Sequence, residues 1–243
     1  VSVGPEVFGE DYLYFYEVLV TDERSDREEE LVARLLGVEA GTQVADVACG
    51  HGRIANRLAA RGARVAGLDA DRFFLARARE DAAARGVEAE YVEGDMRALP
   101  WEDGRFDAAL LWFTAFGYFD DDGNRTVLRE LRRVLRAGGR ALLELNHLPF
   151  VVAHMVPQMW VRRGADVLLD DYVWHPESSL METHRVVVRD GGVRELPYSV
   201  RMFMPSELRD LLLGVGFSQV ELLGAGGEPL TVDDRRLLAL AHA

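Results

Sequence analysis

Through residue 146 the chain alternates short apolar runs with longer amphipathic stretches. Residues 44–57, VADVACGHGRIANR, show the repeating unit most clearly: an apolar strand, a loop of small residues, and the first turn of a helix. ARVAGLDA reads as a second strand ending in Asp69, and VEAEYVEGDM as a third ending at Gly94, Asp95 and Met96. Phe106 to Trp112 forms a fourth strand that runs into an aromatic loop, and ALLELN a fifth. Between these runs apolar residues recur at helical spacing. One helix runs from about Asp71 to Arg85 and stops at Gly86; another is capped by Asp120 to Asp122 and runs to Leu135. A further helix precedes the first strand. Ser25 and Glu28 have capping-box spacing, Leu31, Val32, Leu35 and Leu36 form the stripe, and Gly37 ends it.

Strands that alternate with helices in this way predict a parallel sheet with helices on both faces. After His147 the pattern changes. VLLDDYVWH, LMETHRVVV and LPYSVRMFM predict an antiparallel insertion of about three strands, preceded by a lid helix in LPFVVAHMVPQMW. SELRDLLLGVGF then reads as a helix capped by Ser206, followed by two last strands, SQVELLG and RRLLALA. Three parts result: an aromatic arm and helix over residues 1–37, a core of 38–147 with 205–243, and an insertion, 148–204, that covers the substrate. Within the arm, Phe8, Tyr12 and Tyr16 fall on one helical face. It either roofs a site or is a terminal helix packed on the domain.

Composition narrows the function. The formal net charge of −13 opposes binding to a phosphate backbone, so no nucleic-acid partner is expected. No apolar run nears the ~20 residues of a membrane span and no signal-peptide pattern opens the chain, so no membrane partner and a cytoplasmic location are expected. The single cysteine, Cys49, suits a reducing compartment and reads as a small loop residue. A homo-oligomer is compatible with all of this.

In open parallel sheets, ligands bind beyond the strand carboxyl ends, near the point where strand order reverses. The loop after Asp46, then Asp69, Asp95 and Trp112, all fall at such ends. Gly50 to Ala55 matches the dinucleotide pattern G-x-G-x-x-A, which alone is a weak signal. Against a dinucleotide stand Asp46 inside the first strand and a separate acid, Asp95, after the third. A ligand with an amino-acid tail, a ribose and an adenine explains three acids at three successive strand ends.

VADVACGHG, GLDAD, EGDMRALPW, FDAALLWFTAFGYF and RVLRAGGRALLEL resemble the successive motifs of class I S-adenosylmethionine-dependent methyltransferases. More narrowly, the arm, the WFTAFGYF loop and the insertion resemble small-molecule N-methyltransferases of antibiotic biosynthesis, of the lincosamide type. The resemblance implies a Rossmann-like α/β fold, a seven-stranded mostly parallel sheet with its last strand antiparallel, plus the antiparallel β insertion. It implies S-adenosyl-L-methionine as cofactor, S-adenosyl-L-homocysteine as product and a small-molecule substrate. The cofactor contacts it implies are Asp46, Ala48, Cys49, Gly50 and Gly52 for the amino-acid end and Asp69 with Ala70 for the ribose. Gly94, Asp95 and Met96 fall to the adenine, Trp112 to the methionine side, and Tyr16 to the carboxylate. His51 stands where many members have a small residue.

His147 is the candidate base, with a structural histidine as the alternative. Phe116, with Phe113 and Tyr118, either walls the substrate site or fills the core, and for Phe113 the core is favoured. No histidine pair has metal-ligand spacing, and Asp120 to Asp122 read as helix caps, so no metal is expected. WFTAF is unlike the N/D-P-P-Y/F segment used on base amines. N-methylation is the first expectation. O-methylation with His147 as base, a nicotinamide oxidoreductase, and a non-catalytic cofactor-binding protein are the alternatives.

Overall fold

Val44, Ala45 and Val47 have no exposed surface, and Asp46 lies buried among them in β1 (Gln43–Val47). A strand buried on both faces is what a parallel sheet covered by helices requires. The computed structural model describes residues 7–243 and places β1 third from one edge of a seven-stranded sheet. The other strands are β2 (Arg64–Asp69), β3 (Glu90–Glu93), β4 (Phe106–Leu111), β5 (Leu135–Asn146), β10 (Gln219–Leu223) and β11 (Arg236–His242). Their order is β10-β11-β5-β4-β1-β2-β3. β5, β4, β1, β2 and β3 are mutually parallel. β11 runs antiparallel between β5 and β10, so the antiparallel last strand is as expected. Order reverses at β1, whose neighbours are β2 and β4, and that opens a crevice beyond the ends of β1 and β4.

Helices cover both faces. α2 (Asp22–Leu36), α3 (Ala55–Ala60) and α4 (Arg72–Arg85) pack Val32, Leu36, Leu58 and Leu75 on one side. α5 (Asp121–Val134) and α7 (Pro205–Gly214) pack Leu128, Leu131, Leu208 and Leu212 on the other. Two caps differ from expectation. α2 begins one turn before Ser25: Thr21 takes the extended capping conformation and its hydroxyl accepts from the Arg24 amide. Asp22 and Glu23 then sit in the first turn, where the helix dipole favours them. Ser25 is inside the helix, donating back to the Thr21 carbonyl. α7 begins with Pro205 at its first position, where the missing N–H costs nothing, so Met204 and not Ser206 is the cap.

The insertion has four strands, not three: β6 (Gln158–Arg163), β7 (Asp166–His175), β8 (Leu180–Arg189) and β9 (Gly192–Arg201), each antiparallel to the next. β6 begins in the last three residues of the stretch expected to be a lid helix. Pro157 ends helical structure there, and only α6 (Leu148–Ala153) is helical. The arm is α1 (Glu10–Tyr16), docked on this second sheet. Phe15 is fully buried against Leu168 and Val187. Tyr14 donates to Asp166, and Arg189 and Arg194 grip Asp11.

Candidate functional site

The loop after β1 is held by main-chain bonds and one carboxylate. The Cys49 amide donates to the Leu68 carbonyl and the Gly52 amide to Cys49. Asp69 ends β2 and accepts from the Gly50 amide at 2.7 Å and the Asp71 amide at 2.9 Å, so one side chain fixes two turns. Ala48, Gly50 and Gly52 all have left-handed φ, of 57°, 55° and 75°. A Cβ at Gly50 would meet nothing within 4 Å, so the loop presents bare backbone to open space. Below it the packing is tight: a Cβ at Gly67 would stand 2.8 Å from the Tyr91 ring and 2.9 Å from the Cys49 sulfur.

Burial dominates the titration of this floor. It pushes the Asp46 carboxyl up to about 7, helped by the negative charge of Asp69 and opposed by Arg53. It raises Asp69 above the usual carboxylate range, against the backbone amides that bind its charged form. It raises the Cys49 thiol well above its ordinary value, which removes the thiolate a reactive cysteine needs.

At the next strand end, the Gly94 amide donates to the Asp69 carbonyl, with Ala70 and Asp71 beside it. Asp95 is half exposed and paired with Arg97, which holds its carboxyl below the usual range. Met96 packs its side chain against the core. Asp69, Ala70, Gly94, Asp95 and Met96 therefore lie along one rim.

On the other side of β1 the structure gathers residues the sequence did not point to. Arg53, Arg57 and Arg61 are four apart, on one face, and meet acids of α2: Glu28, Asp22 with Asp26, and Glu29. Glu28 is a hub. It accepts from Arg24 at 2.7 Å, from Arg53, and from the indole N–H of Trp112 at 2.8 Å. Burial alone would raise its carboxyl, but Arg53, Trp112 and Arg24 together lower it. Trp112 is thus buried with its polar edge on α2. The Arg53 guanidinium stands 5.1 Å from the centre of the Phe113 ring, and its Nη1 is buried with no partner among the described residues.

Phe113 and Thr114 take left-handed φ of 63° and 59°, a strained pair. Glu144, buried on β5 and paired with Arg236, holds the turn by accepting the Thr114 amide. The turn brings the Phe113 ring up beneath Arg53 and leaves Phe116 in the core, stacked at 5.2 Å on Phe203. Phe116 is 2% exposed, so it does not wall the site. Phe116 lies in the core, and Phe113, expected there, is partly buried and packs against it.

The arm carries an aromatic cluster. Tyr12 and Tyr16 stack at 4.2 Å, as their spacing predicts, with Phe8 edge-on to Tyr12 at 5.3 Å. Phe8 also meets Tyr118 and Tyr198, and Tyr12 reaches Phe74 of α4, which His51 also faces. Burial raises the phenols of Tyr12, Tyr16 and Tyr118 far above their ordinary value and lowers His51 to about 4. Under the tyrosines lies a buried ion pair, in which Asp170 accepts from Arg185 Nε and Nη2, both at 2.8 Å. The same guanidinium lies 5.6, 5.8 and 5.1 Å from the rings of Tyr12, Tyr16 and Tyr198 and donates to the Val7 carbonyl. Tyr16 therefore lies on Arg185, and the arm packs on the second sheet while Tyr12 reaches the same Phe74 that His51 faces. His147 caps α6 and is buried, its Nδ1 bonded to the Asp234 carbonyl at 2.8 Å. Among the described residues no cluster of three histidines, cysteines or acids could hold a metal, and no helix is long and apolar enough to cross a membrane.

Comparison with known proteins agrees with this geometry. A family model described as "Methyltransferase domain" matches residues 44–139. The demethylmenaquinone methyltransferase of Thermus thermophilus is 35% identical over 202 residues, 81% of this chain and 84% of that protein. Among solved structures, the CcbJ methyltransferase from Streptomyces caelestis superimposes with a TM-score of 0.78 at 22% identity, covering 90% of this chain and 89% of that one. SAM-bound CalS10, an amino pentose methyltransferase from Micromonospora echinaspora involved in calicheamicin biosynthesis, gives 0.69 at 20% identity, covering 96% and 97%.

Proposed function

The chain belongs to the S-adenosylmethionine-dependent methyltransferases, and from that premise we propose that it methylates an amine nitrogen of a small secondary metabolite of the antibiotic type. The nicotinamide reading of Gly50 to Ala55 falls with the family. The loop suits the cofactor, because Gly50 faces open space where any side chain would stand in a ligand's way. In this reading Asp46 and Ala48 to Gly52 hold the amino-acid end, Asp69 and Ala70 the ribose, and Gly94, Asp95 and Met96 the adenine. When bound, the cofactor supplies an electrophilic methyl group on a sulfonium.

What remains for the protein is to place a lone pair in line and exclude water. Placement alone is worth on the order of 7–11 kcal/mol. The observation that carries the nitrogen reading is the tyrosine cluster. Phenols are protonated at neutral pH to begin with, and burial pushes those of Tyr12, Tyr16 and Tyr118 further up, so none of them accepts a proton from an alcohol. An amine that binds as the free base attacks through its lone pair and sheds a proton only afterwards, so it has no such need. The second sheet and the arm serve as the substrate cover.

The oxygen reading depends on His147. A carbonyl can only accept, so its Nδ1 carries a proton and donates to Asp234, which leaves Nε2 as the basic nitrogen. A carbon acceptor is favoured by the Thermus relative, which is named for demethylmenaquinone.

Incubation with S-adenosylmethionine and matched amine, alcohol and quinol acceptors separates the three. A one-methyl mass gain on the amine is expected; gain confined to the alcohol or the quinol sinks the nitrogen reading. His147→Ala should keep its rate on an amine, whereas general-base loss would cost about 100-fold or more. Asp69→Ala should weaken S-adenosylhomocysteine by roughly 10- to 100-fold, because buried hydroxyls lose a charged acceptor and the Gly50 turn loses its tie. Calorimetry reads the loss, and an unchanged affinity would remove Asp69 from the ribose.

A further inference from the structure

Arg53 is 9% exposed, yet one nitrogen of its guanidinium has no partner among the described residues. Buried charged donors left unpaired are costly, so such a group marks a place for a bound water, an ion or a ligand. Several features point to a ligand. Arg53 follows Gly52 directly, so its backbone belongs to the cofactor loop. Its Nη2 is tied to Glu28, and Glu28 is fixed in turn by Arg24 and the Trp112 indole. The guanidinium plane is supported from below by the Phe113 ring, which the strained turn at Phe113 and Thr114 brings into place. A side chain held by the Glu28 carboxylate and the Phe113 ring, with a free donor, is oriented in advance for an anion.

We infer that Arg53 Nη1 receives the carboxylate at the amino-acid end of the cofactor, with Glu28 as its positioning residue. The inference rests on the family's cofactor and is independent of which acceptor atom is methylated. The planar guanidinium is suited to a carboxylate as an ammonium is not, and its permanent charge remains when the site is closed to water. Tyr16, the residue expected for this carboxylate, has its ring 5.8 Å from the Arg185 guanidinium and carries no charge of its own to pair with an anion. Arg53 also accounts for the acids nearby. The Arg53 charge acts on Glu28, Asp46 and Glu144. Glu28 and Glu144 already hold arginines, whereas Asp46 has no salt bridge among the described residues, so the zwitterionic end of the cofactor brings a carboxylate for Arg53 and an ammonium for Asp46.

The test compares two nucleosides by calorimetry: S-adenosylhomocysteine, and methylthioadenosine, which has the same thioether but no amino-acid end. The wild-type protein should prefer S-adenosylhomocysteine by about 100-fold or more. Arg53→Met should erase most of that preference and leave methylthioadenosine within about twofold of wild type. Glu28→Gln should weaken S-adenosylhomocysteine by about fivefold and leave methylthioadenosine alone, because it loosens Arg53 without removing it. Equal weakening of both ligands, or of neither, would overturn the assignment. So would a wild-type protein that does not distinguish them. If the wild-type protein binds neither, the cofactor reading fails and not the role of Arg53 within it. Thermal unfolding accompanies each variant. Should Arg53→Met not fold, Arg53→Lys keeps the charge and loses the fork. It should retain a preference smaller than wild type, and an undiminished preference would count against Arg53.

Discussion

Gly52→Ala is expected to destabilise the protein by about 3–5 kcal/mol and to abolish binding of S-adenosylhomocysteine. Gly52 has φ of +75°, and an added Cβ would stand 2.5 Å from the Tyr91 hydroxyl and 2.9 Å from Ala78 Cβ. Neither neighbour can yield. Tyr91 donates to the Asn56 side chain, and the Asn56 amide donates to the Ala78 carbonyl and to Asp81. The clash therefore spreads through a linked set joining β3, α3 and α4. Gly50→Ala is the control. Its Cβ meets nothing, and a left-handed alanine costs only about 1–2 kcal/mol. That variant should stay folded while losing ligand affinity. Denaturant unfolding with calorimetry separates the two, and equal stability losses would mean that the floor of the loop is softer than its packing indicates.

Arg185→Met is expected to cost about 3–5 kcal/mol, because it leaves Asp170, which is fully buried, as an uncompensated charge. Removing both charges with Arg185→Met and Asp170→Leu should restore stability to within about 2 kcal/mol of wild type. Turnover should not return with it. Tyr12, Tyr16 and Tyr198 converge on the guanidinium, and a displacement of about 1 Å at a positioned group can cost 100-fold in rate. A double variant that is both stable and fully active would show the pair to be packing only.

The strand ends were legible because each carries an acid or a small residue where an apolar run stops. Asp46, Asp69, Asp95 and the glycines between them are local signals, and so is the stacking of Tyr12 on Tyr16. What escaped depends on three-dimensional neighbours. Arg53 in a sequence is one arginine among many, and only the return of α2 to place Glu28 beside it makes it distinctive. Phe113 stands beneath Arg53 and Phe116 in the core because two left-handed residues turn the loop by an amount that no periodicity encodes. β6 was hidden by a helical-looking stretch, although Pro157 was a readable stop. Thr21 and Ser25 both have capping chemistry, and the residues alone do not say which turn comes first.

The two sheets differ in how far apart their partners lie along the chain. β6, β7, β8 and β9 pair only with their immediate neighbours through short turns. In the larger sheet, β1 pairs with β4, and β5 with β11 almost a hundred residues later. Local pairings form quickly, and distant ones wait on the closure of long loops. The inserted meander should therefore assemble ahead of the sheet that interrupts itself to hold it. The arm, which docks on the meander through Phe15 and the arginines of β8 and β9, then has its surface ready before the cofactor crevice exists. In refolding, protection of amides in β7 and β8 should precede protection in β1 and β4, so that the cover is built before the floor.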